Sequence, residues 1–151
     1  MDVTIGTREG FTVLGLLHCI NPMTADYRAI WQEQFAPRQP EMQALAVDDG
    51  PVAVFFPIDS PEMMELITGM LVSPDTAAPD GLVARPVPGG QYAMVDCTLD
   101  YLRATWIYLY GAWHETAAVA IDFSRPCYEY YPPTAKGEAM RAVVCVPVMA
   151  K

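Results

Sequence analysis

The segment Cys127-Tyr128-Glu129-Tyr130-Tyr131 contains the residue types in this sequence that are best suited to chemistry. Side chains alternate along a strand, so Cys127, Glu129 and Tyr131 are expected on one face and Tyr128 and Tyr130 on the other. A carboxylate on an apolar, aromatic face is costly to bury unless a partner satisfies it. Glu129 is therefore the leading candidate for a buried anion that binds a cationic ligand, with aromatic rings adding cation–π attraction.

Other interpretations of Glu129 stay open at this point. Its face of the strand could be exposed to solvent, or the carboxylate could pair with an arginine such as Arg141. A hydrolase would use Glu129 as general acid and base, with Tyr131 orienting a water or donating to developing negative charge. Such an enzyme needs burial to raise the pKa of Glu129 above its ordinary value of about 4.3, whereas a cation binder needs the carboxylate ionised at neutral pH.

The remaining reactive residue types form no recognisable site. His18 and His114 have no partners at metal-ligand spacing, so neither a metal nor another cofactor is predicted. The P-loop, the G-x-G-x-x-G motif and the G-x-S-x-G motif do not occur in the sequence. The cysteines are widely spaced and are expected to be free, mostly buried thiols: Cys19, Cys97, Cys127 and Cys145.

Composition restricts the class of protein. Hydrophobic residues make up 52% of the 151 residues and charged residues 18%, which excludes intrinsic disorder and suits a single compact domain. The 18 acidic residues against 9 basic ones give a net charge of -9, which repels nucleic acid and anionic membranes. No apolar run reaches the ~18 residues of a membrane span. The first residues lack the features of a signal peptide, so a cytoplasmic location is expected.

Hydrophobic patterns and turn residues predict the elements that must position Glu129. The first half is predicted to form a strand, a helix capped by Thr24, and two antiparallel strands: residues 11–20, 24–35, 52–56 and 65–72. Pro37 and Pro40 are expected to end that helix. The second half is predicted to repeat this order, with its helix beginning at Thr98 and its strands at residues 91–97, 127–131 and 141–148.

The two halves also share residues at a constant offset of 75. Arg28-Ala29-Ile30-Trp31 returns as Arg103-Ala104-Thr105-Trp106, and the proline-bounded segment 51–57 returns as 126–132. The repeat predicts an α+β fold of duplicated βαββ units that form a curved antiparallel sheet with two main helices. Repeat one is expected at about residues 10–73, a linker at 74–81 and repeat two at about 82–150.

The two copies differ where a cleft on their pseudo-twofold axis would lie. At offset 75, Val54 and Phe56 stand where the second copy has Glu129 and Tyr131. The cleft is therefore expected to have one apolar wall and one wall with hydroxyl groups and a carboxylate. The candidate ligand-binding residues share a place on these strands or on the two helices: Glu129, Tyr131, Trp106, Tyr110, Phe56, Val54, Trp31, Tyr27 and Tyr101.

The sequence resembles the GyrI-like small-molecule-binding domain, which is also the effector-binding module of AraC-type and MerR-type multidrug-sensing regulators. The segments that carry the resemblance are 12–15, Thr-Val-Leu-Gly; 87–93, Val-Pro-Gly-Gly-Gln-Tyr-Ala; the aromatic segment 106–113; 127–131, Cys-Tyr-Glu-Tyr-Tyr; and 146–148, Val-Pro-Val. The resemblance implies that Glu129 contacts lipophilic cations and that aromatic residues of both halves line the cleft. It also implies that some stand-alone members sequester drugs or inhibit gyrase, and that some hydrolyse cyclopropane-bearing compounds with the glutamate and a tyrosine.

The predicted function is the binding of small lipophilic molecules, cationic or aromatic, for sensing or sequestration. One alternative is a hydrolase of strained or electrophilic small molecules that uses Glu129 and Tyr131. A second alternative is an inhibitor that binds a protein partner through its acidic surface. Because the fold is expected to begin by Phe11, no DNA-binding segment is expected in this chain.

Overall fold

Nine strands and two helices form the chain in the computed structural model, which describes residues 1–151. The strands are β1 (Thr4–Arg8), β2 (Phe11–Ile20), β3 (Ala46–Pro57), β4 (Met64–Val72), β5 (Val83–Val87), β6 (Gly90–Thr98), β7 (Val119–Ile121), β8 (Cys127–Tyr130) and β9 (Arg141–Ala150). Helix α1 covers residues 27–45 and helix α2 covers residues 99–116.

The order of the strands in the sheet is symmetric about its centre. The sheet runs β1-β6-β9-β8-β3-β4-β2-β5 with every neighbouring pair antiparallel, and β7 pairs separately with β9. Moving outward from the central pair β8 and β3, the next strands are β9 and β4, then β6 and β2, then β1 and β5. The two halves are therefore related by an approximate twofold axis, which confirms the predicted duplicated α+β fold.

The pairing of β3 with β8 at the centre of the sheet does not agree with the predicted offset of 75 residues, from which it differs by one residue. Glu129 lies directly across from Ala53, and Cys127 lies across from Phe55. Paired residues of antiparallel strands point to the same face, so Ala53 and Phe55 share the face of Glu129. Val54 pairs with Tyr128 and points to the other face. A shift of one residue reverses every side chain of a strand, so the prediction that Val54 and Phe56 face Glu129 is wrong.

Helix α1 begins later and ends later than predicted. Asp26 caps it in place of Thr24, because the Asp26 side chain accepts a hydrogen bond from the backbone N–H of Ala29 at 3.1 Å. A π-helical turn over Ile30–Phe35 leads into the α-helical segment Ala36–Leu45. Pro37 lies in the first turn of that segment, a position that tolerates proline. Pro40 lies inside the segment, where it cannot donate to the carbonyl of Ala36, yet the helix continues to Leu45. The prediction that these prolines end the helix is wrong.

Helix α2 begins directly after Thr98, as predicted. It also contains a π-helical turn, Leu109–Trp113, within which Gly111 has φ -109 and ψ -107. Leu109 of this turn is buried in a core cluster with residues of β6 and β9, and Trp106 and Trp113 pack against the same cluster. The two helices therefore cover one face of the sheet, on opposite sides of the central strand pair.

Strands β1, β5 and β7 were not predicted, and the first two exchange partners between the halves. β1 pairs with β6 of the second half, and β5 pairs with β2 of the first half. The connections that follow β1 and β5 cross at Gly10 and Gly89, where a Cβ on Gly89 would lie only 2.6 Å from the backbone N of Gly10. This crossing closes the helix-free face of the sheet around a core that includes Val54, Phe56 and Tyr128.

All four cysteines are free thiols, as predicted, and only Cys19 is exposed. None of the helices combines the length and the hydropathy that are needed to span a bilayer.

Candidate ligand-binding site

Glu129 is buried at the centre of the sheet, on the face that α1 and α2 cover, with only 6% of its surface exposed. The indole Nε1 of Trp106 donates a hydrogen bond to its Oε2 at 2.9 Å, and the Tyr131 hydroxyl donates to its Oε1 at 3.0 Å. Glu129 takes part in none of the four ion pairs of the protein. Arg141 pairs with Asp96 at 2.7 Å instead. Both simpler interpretations of Glu129, an exposed face and a pair with Arg141, are therefore wrong.

Burial raises the pKa of Glu129 above its ordinary value, because the charged carboxylate loses its contact with water. The hydrogen bonds from Trp106 and Tyr131 favour the charged form and offset part of this effect. Burial, together with the nearby Glu129 carboxylate, raises the pKa of Tyr27 to about 12. The same two causes raise the pKa of Tyr131. Both phenols therefore keep their protons at neutral pH, and Glu129 is the group of this site that titrates most readily.

Helix α1 supplies one aromatic wall beside the carboxylate. The ring of Trp31 contacts Tyr131 edge-on, with centroids 5.4 Å apart, and also contacts Phe35 at 4.8 Å. Tyr27 contacts Phe55 at 6.3 Å, and its hydroxyl donates to the carbonyl of Pro22 at 2.6 Å. This hydrogen bond fixes the ring of Tyr27 against the start of the helix.

Helix α2 supplies the opposite wall. Trp106 contacts Phe55 edge-on at 5.9 Å and stacks on Tyr110 at the same centroid distance, with an interplanar angle of 27°. The Cys127 thiol is buried in the cluster against which Trp106 packs, and burial raises its pKa to about 12. Tyr110 also contacts Phe123 at 6.0 Å. The wall therefore continues from the carboxylate toward the exposed end of the helix.

The two walls stand on a floor of β3 and β8 residues. Ala53, Phe55 and Cys127 are buried there in one cluster, against which the rings of the walls pack. The carboxyl group of Glu129 thus lies beneath a set of aromatic rings from both halves of the chain: Tyr27, Trp31, Phe55, Trp106 and Tyr131. A carboxylate accepts at about four sites, and the protein fills two of those of Glu129. Two acceptor sites of the carboxyl group are therefore free of protein donors.

The structure brings together six of the nine residues that the sequence singled out: Glu129, Tyr131, Trp106, Tyr110, Trp31 and Tyr27. Val54 and Phe56 lie on the opposite face of the sheet. Tyr101 is 61% exposed and lies beside Asp96 and Arg141.

Sequence reasoning missed Phe55, Ala53 and Phe123. Strand alternation placed Cys127 on the correct face. No local signal, however, specifies which alternate residues of β3 share that face, because this depends on the register of β3 against β8. Phe123 lies in a loop, where no periodic pattern applies.

Residues 4–148 match the model of a protein family described as integron-associated effector binding protein, Cass2. No curated protein sequence matches this chain.

Solved structures show the same fold. The structure of SAV2435 bound to tetraphenylphosphonium matches with a TM-score of 0.82 and 14% sequence identity, over 99% of this chain and 94% of that one. The EcmrR C-terminal domain matches with a TM-score of 0.72 and 12% identity, over 99% and 98% of the two chains. An integron cassette protein from the mobile metagenome of Vibrio cholerae gives a TM-score of 0.64 and 17% identity, over 97% and 95%. These matches confirm the predicted resemblance to the GyrI-like fold.

Proposed function

This chain belongs to the family of integron-associated effector binding proteins, and we propose that its effectors are small lipophilic cations that bind over Glu129. The observation that carries the proposal is a buried carboxylate whose hydrogen-bond donors, Trp106 and Tyr131, are both neutral. A buried charge without a counter-charge is costly. A ligand cation removes that cost, so binding has a driving force at this position that a neutral molecule lacks.

The walls of the cleft suit the apolar part of such a ligand. Trp31, Phe55, Trp106 and Tyr131 surround the carboxylate with aromatic rings. A cation within about 6 Å of a ring face gains further attraction, on the order of 0.5–2 kcal/mol. An apolar pocket with a few placed polar groups is the usual form of a small-molecule site.

One solved relative of the same fold gives independent support. SAV2435 was solved with tetraphenylphosphonium, which is a cation with four phenyl groups. This ligand has the charge and the aromatic surface that the cleft of this chain would accommodate.

Calorimetric titration with tetraphenylphosphonium and with the neutral triphenylphosphine oxide tests the proposal. Glu129→Gln removes the charge with little change of shape, and we expect the affinity for the cation to fall about 10- to 150-fold. The affinity for the neutral compound should fall much less. Glu65→Gln is the matched control, because Glu65 is an ion-paired carboxylate on the opposite face of the sheet. Equal losses for the two compounds in Glu129→Gln would contradict a charge-reading role.

A hydrolytic reaction is the second candidate function, favoured by one observation. The Tyr131 hydroxyl lies 3.0 Å from Oε1 of Glu129, and the pKa of that carboxyl is raised by burial. A carboxyl group with a raised pKa can exchange a proton with a reacting group more readily, and a neighbouring phenol can stabilise developing negative charge.

A further inference from the structure

A cavity of about 500 Å³ lies on the helix-free face of the sheet, opposite to Glu129. It lies between the β1–β2 connection and strands β3 and β8. The residues that give it its chemical character are two tyrosines, three charged residues and one phenylalanine: Tyr128, Tyr130, Arg8, Glu9, Asp48 and Phe11. Its volume is within the range of small-molecule sites, and the Glu129 cleft makes no use of it.

Arg8 presents a free guanidinium edge to this cavity. Its Nε donates to the hydroxyl of Tyr128 at 3.3 Å, and this is the one hydrogen bond that the side chain makes. Tyr128 is only 1% exposed, so it holds the guanidinium in a fixed orientation. Arg8 forms no ion pair, although the chain has twice as many acidic as basic residues. The two terminal nitrogens can therefore bind a carboxylate in a bidentate manner.

Asp48 presents the opposite charge to the same cavity. Its Oδ1 accepts hydrogen bonds from the Tyr130 hydroxyl at 2.6 Å and from the backbone N–H of Gly50 at 2.8 Å. Its Oδ2 accepts no hydrogen bond from the protein. Asp48 and Arg8 do not pair with each other. One cation, Arg8, and two carboxylates, Asp48 and Glu9, therefore line one cavity without forming an ion pair.

Two neighbouring tyrosines hold these charges. Tyr128 and Tyr130 are two residues apart on β8 and point to the same face. Arg8 is held by the first hydroxyl and Asp48 by the second. A ligand that contacts both groups therefore needs an anionic group and a cationic group of its own.

The pseudo-twofold axis shows that these polar groups are not needed to build this face. The positions equivalent to Arg8, Tyr128 and Tyr130 in the other half are occupied by Val87, Val52 and Val54, in the registers β1 to β5 and β8 to β3. All three valines are buried in the same core. Tyr128 also packs in this core, but valine is accommodated at each equivalent position, so the sheet itself requires neither the charge of Arg8 nor the hydroxyls of Tyr128 and Tyr130.

We propose that this cavity binds a small zwitterion of the α-amino-acid type with an apolar side chain. The ligand carboxylate contacts the guanidinium of Arg8, and its ammonium group contacts Oδ2 of Asp48. Phe11 and Leu71, which also line the cavity and are partly exposed, contact the apolar side chain. This site is separate from the Glu129 cleft and does not depend on the function proposed for it.

Titration with L-phenylalanine, followed by two-dimensional NMR of the full chain, tests this proposal. 3-Phenylpropionate lacks the ammonium group, and 2-phenylethylamine lacks the carboxylate. We expect phenylalanine to bind and to shift the resonances of residues around Tyr128 and Tyr130, and each single-charge analogue to bind at least about tenfold more weakly. Arg8→Gln and Asp48→Asn should each weaken phenylalanine binding about 10- to 150-fold. Arg28→Gln, on the surface of α1, and Glu129→Gln, in the other site, should leave it unchanged.

Three results would overturn the proposal. One is the absence of phenylalanine binding at about 10 mM, well above the range of specific weak ligands. Another is equal binding of 3-phenylpropionate, which would show that the cavity reads an anion only. The third is loss of binding in Glu129→Gln, which would place phenylalanine in the cleft. Asp48→Asn leaves the contact between Arg8 and Tyr128 intact, so it remains informative if Arg8→Gln impairs folding.

Discussion

Ala53 and Glu129 lie directly across from each other on β3 and β8, at the centre of the sheet where the two halves meet. One half therefore supplies a methyl group where the other supplies a carboxylate. Both residues are buried, with 2% and 6% of their surfaces exposed. The small side chain of Ala53 leaves the space beside the carboxylate to the rings of the two helices, and this asymmetry makes a single anionic position in a duplicated fold.

Glu129→Gln should stabilise the protein relative to the wild type increasingly as pH rises. Because burial raises the pKa of Glu129 in the folded state, the folded protein binds more protons than the unfolded chain between the ordinary and the raised pKa. The free energy of unfolding contributed by Glu129 therefore falls as pH increases through this interval. Urea unfolding of both proteins from about pH 4 to pH 8 measures the difference between their free energies of unfolding. The contributions of all other carboxyl groups cancel in this difference. A difference that does not change with pH would contradict the raised pKa.

Cation binding should strengthen as pH rises through the pKa of Glu129 and then level off. A bound cation favours the ionised carboxylate, so binding below that pKa releases a proton. Calorimetric titration with tetraphenylphosphonium in two buffers of different ionisation enthalpy measures the proton release. The control is Glu129→Gln, in which the affinity should be independent of pH. Proton uptake on binding would show that the neutral carboxyl is the binding form.

Tyr131→Phe should raise the pKa of Glu129 further and weaken cation binding at neutral pH. The substitution removes the hydrogen bond that Tyr131 donates to the carboxylate, and a hydrogen bond to a charged group is worth about 1.5–3 kcal/mol. We therefore expect a loss of roughly tenfold or more in affinity for tetraphenylphosphonium at pH 7. Tyr130→Phe removes a hydroxyl from the opposite face and is the matched control. A similar loss in both variants would indicate a general effect on the sheet.

The hydrolytic alternative is decided by turnover of an electrophilic, cyclopropane-bearing compound. If the cleft only binds, the wild type should show no turnover above the level of Glu129→Gln, while the compound still binds. A hydrolase would lose activity in both Glu129→Gln and Tyr131→Phe, because proton exchange and charge stabilisation both depend on this pair. Retention of wild-type turnover in Tyr131→Phe alone would remove the tyrosine from the reaction.

Gly89→Ala should destabilise the protein by about 1–3 kcal/mol, which is the usual cost of overpacking. A Cβ at Gly89 would lie 2.6 Å from the backbone N of Gly10 and 2.9 Å from the carbonyl O of Arg8, so backbone atoms would have to move. Gly6→Ala is the control, because its Cβ would meet only the flexible end of Met94, at 3.2 Å. Thermal unfolding of the two variants compares these costs. Equal melting temperatures would contradict a tight crossing of the two connections.

Features of the cleft that depend on local periodicity could be predicted from the sequence. Glu129 and Tyr131 share a face because alternation along a strand is a local property. Trp106 and Leu109 are three residues apart, a helical spacing that puts both on the face of α2 that packs on the sheet. The end of α1 was not predictable in this way. The π-helical turn Ile30–Phe35 places Pro37 at the start of a further α-helical segment, and the hydrophobic pattern does not show this turn.

By itself, the sequence determined the α+β repeat, the order of its elements, and an isolated carboxylate among aromatic residues. Only the tertiary structure decided which residues of the first half meet that carboxylate. The physical reason is that the register between β3 and β8 is set by backbone pairing across more than seventy residues of chain, and a change of one position exchanges the two faces of a strand. Phe55 rather than Phe56 therefore contacts Trp106 beside Glu129, and Val54 lies in the core of the other face.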